Sequence, residues 1–352
     1  MKLKFIYILL INIIFIGAIS SQAGGFGVFK FLNLSPSARM TALGDHVVSI
    51  YDDDINMALE NPSLLNKKMT KHISVSHKFH FAGIKSGYAS YAFNVKKLNM
   101  PFHVGVQYIS YGEEPMTDLY GDKIGNVDGG EYAFVVGASR EVYEKLRIGI
   151  NTKFITSRLG PYNSSGFSID LASTYFIPNK NITIGFVIRN IGTQLTKYGD
   201  EREYTQRNVL LGFTKRLQHL PFRLIITAHH LNRWNLLYDD PNGENNILGS
   251  TESQKRSEIS LWTDNFFRHL NFAGEFMLGK NSGPFRLRFG YNVMRAKEMA
   301  VFPYRSFAGF SFGIGLKIKR FRIDYAYSIQ HLIGGKSHIT LSANLAKYKK
   351  RL

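Results

Sequence analysis

From about His72 onward, apolar and polar residues alternate in runs of about ten, the length a tilted strand needs to cross a bilayer. In residues 146–157, Leu146, Ile148, Ile150, Thr152 and Phe154 share one face, while Arg147, Gly149, Asn151 and Lys153 share the other. Residues 285–292 set Phe285, Leu287, Phe289 and Tyr291 against Arg286, Arg288, Gly290 and Asn292. Residues 321–330 set Phe321, Ile323, Tyr325, Tyr327 and Ile329 against Arg322, Asp324, Ala326, Ser328 and Gln330. Strict alternation gives each strand one apolar and one polar face.

A soluble sandwich alternates too, but its strands are about five or six residues long. Here about fourteen longer runs follow one another, an even number as bacterial barrels have. Their connections alternate in length. Short ones fall at residues 96–100, 141–145, 178–181, 217–220, 280–283 and 319–320; longer ones at 112–130, 158–165, 192–206, 232–270 and 294–305. Tight periplasmic turns opposite longer surface loops are the layout of an outer-membrane barrel. The expected fold is therefore all-β: a transmembrane antiparallel β-barrel of about 14 strands over residues 71–346, with a basic tail at 347–352.

Residues 1–23 read as a signal peptide, with Lys2 and Lys4, an apolar run over 5–19, and small residues Ser21 and Ala23 ahead of Gly24. The 352 residues contain no cysteine, which excludes disulfides, zinc–thiolate sites, thiol catalysis and a lipoprotein anchor. Residues 24–70 do not alternate and are expected to form a compact plug, since a lumen of this width needs filling. A turn at Gly44, a short helix over 55–59 capped by Asp53 or Asp54, and a stop at Asn61-Pro62 fit that role. Arg39 is expected to pair with an interior acid such as Asp324 or Asp170.

Lys and Arg outnumber Asp and Glu 44 to 26, for a net charge of +18. The basic residues are scattered through strands and turns rather than gathered on one patch, which argues against nucleic acid. Outer-membrane lipid, including acidic lipopolysaccharide, is the expected contact. Lys153, Asp170, Arg223, Arg286, Arg288, Arg322 and Asp324 fall on polar faces and are expected to line the interior and pair there.

Several apparent motifs lack their context. Gly309-Phe310-Ser311-Phe312-Gly313 fits a nucleophile elbow but lies inside an alternating strand. Residues 274–280 resemble a phosphate-binding loop, with Asn281 where Ser or Thr should ligate magnesium. The acids Asp52, Asp53 and Asp54 suit a helix start better than a cation. His229 and His230 are neighbours in an expected strand and would point to opposite faces. No catalytic residue, cofactor site or metal site is expected, and the chain reads as a non-enzyme.

The run Ser37-Ala38-Arg39-Met40-Thr41-Ala42-Leu43-Gly44, then Asp54-Ile55-Asn56 and Asn61-Pro62, resembles the lead segment of the PorV/PorQ family, itself part of the FadL-like group of outer-membrane barrels. Further runs resemble its PorQ-like branch in the Bacteroidota type IX secretion system: Tyr108-Ile109-Ser110-Tyr111-Gly112, Leu220-Pro221-Phe222-Arg223, Ala228-His229-His230-Leu231-Asn232-Arg233-Trp234, Asp264-Asn265-Phe266-Phe267-Arg268-His269, and the strand 285–292. The resemblance implies an outer-membrane subunit without enzymatic activity. PorV-like members carry cargo to a surface attachment complex containing a PorU-like component, and PorQ-like members hold a PorZ-like surface protein there. On that reading the plug motif comprises Ser37, Arg39, Ala42, Leu43, Gly44, Asp54, Asn56, Asn61 and Pro62. The candidate partner loop carries Trp234, Tyr238, Trp262, Phe266 and Phe267, since exposed aromatic clusters serve as binding anchors. The alternative is a FadL-like transporter of hydrophobic small molecules.

Overall fold

A computed structural model describes residues 27–237, 257–279, 283–299, 306–332 and 334–348. The expected signal peptide, Tyr238, Lys280 and the end of the basic tail lie outside these residues. Fourteen strands, β1 (His72–Phe79) to β14 (Gly334–Asn344), pair in sequence order and close into one antiparallel barrel. Closure is made by β14 against β1, with His72 opposite Asn344 and Phe79 opposite Ser337. No described helix is long and apolar enough to cross a membrane.

The wall is apolar outside and polar inside. Along β11 (Phe285–Asn292) the phenylalanines and leucine are exposed, whereas Arg286, Arg288, Gly290 and Asn292 are buried. Outward residues meet across strands, as in Phe134 opposite Phe154, Phe154 opposite Phe167, and Ile323 opposite Leu341. A soluble sandwich would bury those faces against a second sheet; here they form a belt facing lipid.

Two expected loops, residues 112–130 and 158–165, are largely strand, and a third, 192–206, opens as strand. β3 (Met100–Thr117) and β4 (Lys123–Tyr143) stay paired almost to their tip, β5 (Leu146–Leu159) meets β6 (Tyr162–Ile177) through residues 160–161, and β7 runs Ile182–Thr196. With 18 and 21 residues, β3 and β4 exceed the roughly 9–11 that a bilayer requires. Their projecting ends face water on both sides, so no apolar alternation marks them. The connection between β9 (Phe222–Ala228) and β10 (Leu270–Leu278) carries helix α3 (Glu258–Arg268), and α4 (Val293–Glu298) follows β11.

Residues 27–70 lie inside the barrel. They comprise a 3-10 turn (Lys30–Asn33), helix α1 (Ala38–Ala42), helix α2 (Met57–Glu60) and 3-10 turns Pro62–Leu64 and Lys67–Met69. Met40, Leu43, Val47, Ile50, Ile55, Met57, Leu64 and Leu65 form an apolar kernel that reaches the wall at Ala92, Ile225 and Ala273. The plug thus brings its own core into a polar lumen. The helix expected over 55–59 is displaced to Met57–Glu60, and neither Asp53 nor Asp54 caps it: the flanking Asn56 makes no side-chain cap. Asp54 Oδ1 instead accepts from the Asn56 backbone N at 3.1 Å, an Asx turn.

Candidate functional site

The most heavily charged part of the structure is the seam between the plug and strands β9–β13. Alternation places Arg223, Glu275 and Arg288 side by side, since Glu275 lies opposite Arg223 on β9 and opposite Arg288 on β11. Glu275 is fully buried and accepts four hydrogen bonds: from Arg39 Nε at 3.1 Å and Nη2 at 3.0 Å, Arg223 Nη1 at 2.6 Å and Arg288 Nε at 2.9 Å. Arg39, also fully buried, reaches Asp52 at 2.7 Å and Asp54 at 3.1 Å. Asp53 takes Lys317 from β12 (Phe310–Ile318) and Arg322 from β13 (Phe321–His331), each at 2.8 Å.

Arg39 therefore does not pair with the expected acids. Asp324 binds Arg288 Nη1 at 2.6 Å, and Asp170 binds Lys153 Nζ at 2.7 Å. The reason lies in barrel geometry. Gly315 sits between Arg288 and Asp324, and a Cβ there would lie 2.3 Å from Asp324 Oδ1 and 2.8 Å from the Arg288 guanidinium. The glycine opens the path that lets Arg288 claim Asp324. Asp170 lies on β6, where Lys153 of β5 satisfies it together with the backbone N of Asn190 at 2.8 Å. A buried charge without such partners costs several kcal/mol, and this network leaves each carboxylate paired.

The motif residues of the plug all touch the wall or cap the plug. Ser37 Oγ accepts from Met40 N at 3.4 Å and caps α1. Asn271 and Asn292 donate to the carbonyls of Leu43 and Gly44 at 2.9 and 3.2 Å, capping the end of α1. Gly44 has φ +85°, a turn L side chains resist. Asn56 Nδ2 reaches Ser74 Oγ at 2.9 Å, and Asn61 Nδ2 reaches Val48 O at 2.6 Å and Thr174 Oγ1 at 3.1 Å. Wall glycines make the close approach possible: a Cβ on Gly149 would lie 2.3 Å from the Pro62 carbonyl carbon, on Gly313 2.5 Å from Ala42 Cβ, and on Gly290 2.4 Å from Gly44 N.

At the other mouth, Asp45 is held by Lys78 at 3.6 Å and by Arg295. His229 and His230 do not sit in a strand as expected. β9 ends at Ala228, His230 turns to φ 58°, and the two Nδ1 atoms lie 2.6 Å apart with the His46 ring 4.6 Å from that of His229. Burial first, then the neighbouring His230, pushes His46 down to about 3. Among the described residues no group of three His, Cys, Asp or Glu could hold a metal ion. Ser311 lies within β12, facing the lumen, and donates to Ser328 at 2.9 Å, which removes the elbow reading.

The aromatic loop divides in two. Trp234 stacks on His269 at 5.0 Å and accepts from Asn265 through its carbonyl at 2.6 Å, tying the loop to the mouth. Trp262 and Phe266 stack at 5.5 Å on α3 and are exposed, with Phe267 edge-on to Phe266. Asp264 of α3 holds Lys297 of α4 at 2.8 Å, so the helices are tied above the barrel. Glu275, Glu60 and Asp45 were not singled out from sequence. Glu275 falls on the polar face of a regular strand, a signal that was there to be read.

A TodX monoaromatic hydrocarbon channel lacking its S2 segment aligns with TM-score 0.52 and 12% identity, over 90% of this chain and 98% of that one. The two chains share one fold, a closed antiparallel β-barrel. The Pseudomonas putida toluene transporter TodX aligns with TM-score 0.48 and 14% identity, over 88% of this chain and 97% of that one. A Pseudomonas aeruginosa FadL homologue aligns with TM-score 0.49 and 10% identity, over 91% and 100%. The fold assignment rests on the first of these. No protein-family model and no curated sequence matches the chain, so nothing in these comparisons supports the narrower PorV/PorQ resemblance.

Proposed function

We propose that this chain is an outer-membrane transporter of hydrophobic small molecules, with the plug as its gate. The observation that carries this reading is a closed fourteen-strand barrel, shared in fold with a monoaromatic hydrocarbon channel, around a plug seated by short polar contacts. The seat is made of separate hydrogen bonds and ion pairs, each of which water can replace when the plug shifts. Both mouths are lined by charged and polar side chains, so a hydrophobic molecule passes only after such a shift.

Ser49 Oγ of the plug lies 2.7 Å from Thr214 Oγ1 of β8 (Asn208–Arg216). In a chain without native cysteine, Ser49→Cys with Thr214→Cys gives a single reducible lock. Oxidised, the pair is expected to abolish toluene uptake by cells or proteoliposomes, and reduction to restore it. Equal uptake in both states would remove the plug from the transport path. No uptake by the unaltered protein would end the transporter reading.

A second reading is a tether in the type IX secretion system, holding a PorZ-like surface protein beside a PorU/PorV-like complex. What favours it is the exposed Ile259, Trp262, Phe266 and Phe267 surface of α3, unlike the scattered apolar residues normal on a surface. Deleting the gene and measuring surface attachment of secreted cargo tests it. Normal attachment alongside lost hydrocarbon uptake would refute the tether.

A further inference from the structure

A cavity of about 880 Å³ opens at the barrel end that carries the short turns, between residues Asp52–Ile55 of the plug and the walls of β9 and β11–β13. By the rule that short turns are periplasmic, it faces the periplasm. Its volume lies within the range of small-molecule sites, but its lining is strongly cationic. Lys68, Arg216, Arg223, Arg286, Lys317 and Arg322 are among its cations, against the three acids Asp52, Asp53 and Asp54.

Those acids are already engaged. Asp53 holds Lys317 and Arg322, Asp52 holds Arg39 and Arg223, and Asp54 holds Arg39. Arg286 is left over. It is only 7% exposed, yet its Nε and Nη1 have no hydrogen-bond partner, and its nearest acid oxygen is Glu275 Oε1 at 3.6 Å. Glu275 offers nothing further, because a carboxylate has about four acceptor sites and this one already accepts from Arg39, Arg223 and Arg288. A buried, always-charged guanidinium with idle donors is costly unless an acceptor completes it.

We propose that this vestibule is a binding site for phosphoryl-bearing anions, with Arg286 as the ligand-contacting residue and the flanking lysines and arginines supplying the field. Forked guanidinium donors match the oxygens of a phosphoryl group, and the surplus of cations favours a multivalent anion over chloride. The acids of the plug form one wall of the cavity, so an occupant also touches the segment that seats the plug.

The test uses the full mature barrel, refolded in detergent, with inorganic pyrophosphate as probe and sodium chloride at matched ionic strength as control. Pyrophosphate is expected to bind saturably by calorimetry and to raise the unfolding temperature, and chloride to do neither. Arg286→Gln should weaken binding about tenfold or more, the loss expected for a charged hydrogen bond. Arg286→Lys, which keeps charge but loses the fork, should fall between, and Lys97→Gln, on a turn at the same end, should bind as the unaltered protein does. Without pyrophosphate, Arg286→Gln should unfold at a higher temperature than the parent, because a buried charge with unsatisfied donors and one distant acid has gone; a structural role would predict the reverse. Repeating the titration in nanodiscs with and without phosphatidylglycerol separates the sources: weaker binding in anionic nanodiscs assigns the site to a lipid headgroup, unchanged binding to a free phosphorylated solute. Absence of saturable binding by the parent, or equal losses in Arg286→Gln and Lys97→Gln, would overturn the proposal.

Discussion

Replacing Arg39 by alanine removes five hydrogen bonds to three carboxylates at a fully buried point where plug and wall meet. The survivors are unequal. Glu275 keeps Arg223 and Arg288, Asp52 keeps Arg223 at 3.2 Å, and Asp54 keeps its bonds from Asn56 but, of its charged partners, just Arg322 at 3.7 Å. Breaking a buried pair from one side costs about 3–5 kcal/mol, and the remaining arginines place this case near ~3 kcal/mol. At about 1.4 kcal/mol per decade, the ratio of seated to released plug falls on the order of a hundredfold. Amide hydrogen exchange reads that ratio where exchange follows opening. Peptides spanning residues 38–50 should exchange about a hundredfold faster, while wall peptides such as 146–157 stay protected. Arg39→Lys, with its point charge, should give an intermediate rate. If Arg39→Ala left plug exchange within about threefold of the parent, the network would not be what seats the plug, and the energetic reasoning would fail.

Gly290→Val would place a Cβ 2.4 Å from both Gly44 N and the Leu43 carbonyl carbon, atoms of backbone that cannot rotate away. It should cost about 1–3 kcal/mol or more and release residues 38–50 to exchange without opening the barrel on heat-modifiable gels. Acidification should loosen the plug. Burial and then His230 hold His46 near 3, and burial and then His269 hold His230 near 4, so both are neutral when seated. Released, they titrate near the ordinary value of about 6.5, so stability is intact above that pH and is lost as pH falls towards the seated values. Between pH 7 and 5 the plug should weaken by about 2 kcal/mol for each histidine that regains its ordinary value, read as faster exchange that reverses on neutralisation, and His46→Phe should remove about half of the response.

The wall was legible because lipid makes a demand at every second residue. β11 occupies the 285–292 stretch read from alternation, and β13 extends the 321–330 stretch by one residue, since each outward position must be apolar for the strand to sit in hydrocarbon. The projecting ends of β3 and β4 escape that demand, and residues 112–130 therefore looked like loop. The pairing of Arg39 was illegible for a different reason. Which acid it meets depends on the stagger between strands and on one missing side chain at Gly315, neither of which is a local property of the sequence. The capping role expected for Asp53 and Asp54 failed on the same ground, because Lys317 of β12 and Arg322 of β13 outbid a helix terminus for those carboxylates.

The inverted wall also explains why the seat is ionic. A purely apolar plug would pack as well against an apolar lumen, and replacing buried ion pairs by hydrophobic residues is often neutral or stabilising. What an apolar lumen could not supply is register, because apolar contacts tolerate sliding and rotation. Arg39, held by the plug's own Asp52 and Asp54, meets the wall's Glu275 in the seated position, and the glycines at 149, 290 and 313 give the plug backbone the room it takes there. The apolar kernel around Met40, Ile50 and Met57 holds the plug compact, while the charged seam fixes where it sits. Compactness and placement then have separate physical origins, so charge substitutions at the seam should release a plug that stays folded, whereas Met57→Ala should loosen the plug itself by about 2–5 kcal/mol and leave the ion pairs to follow.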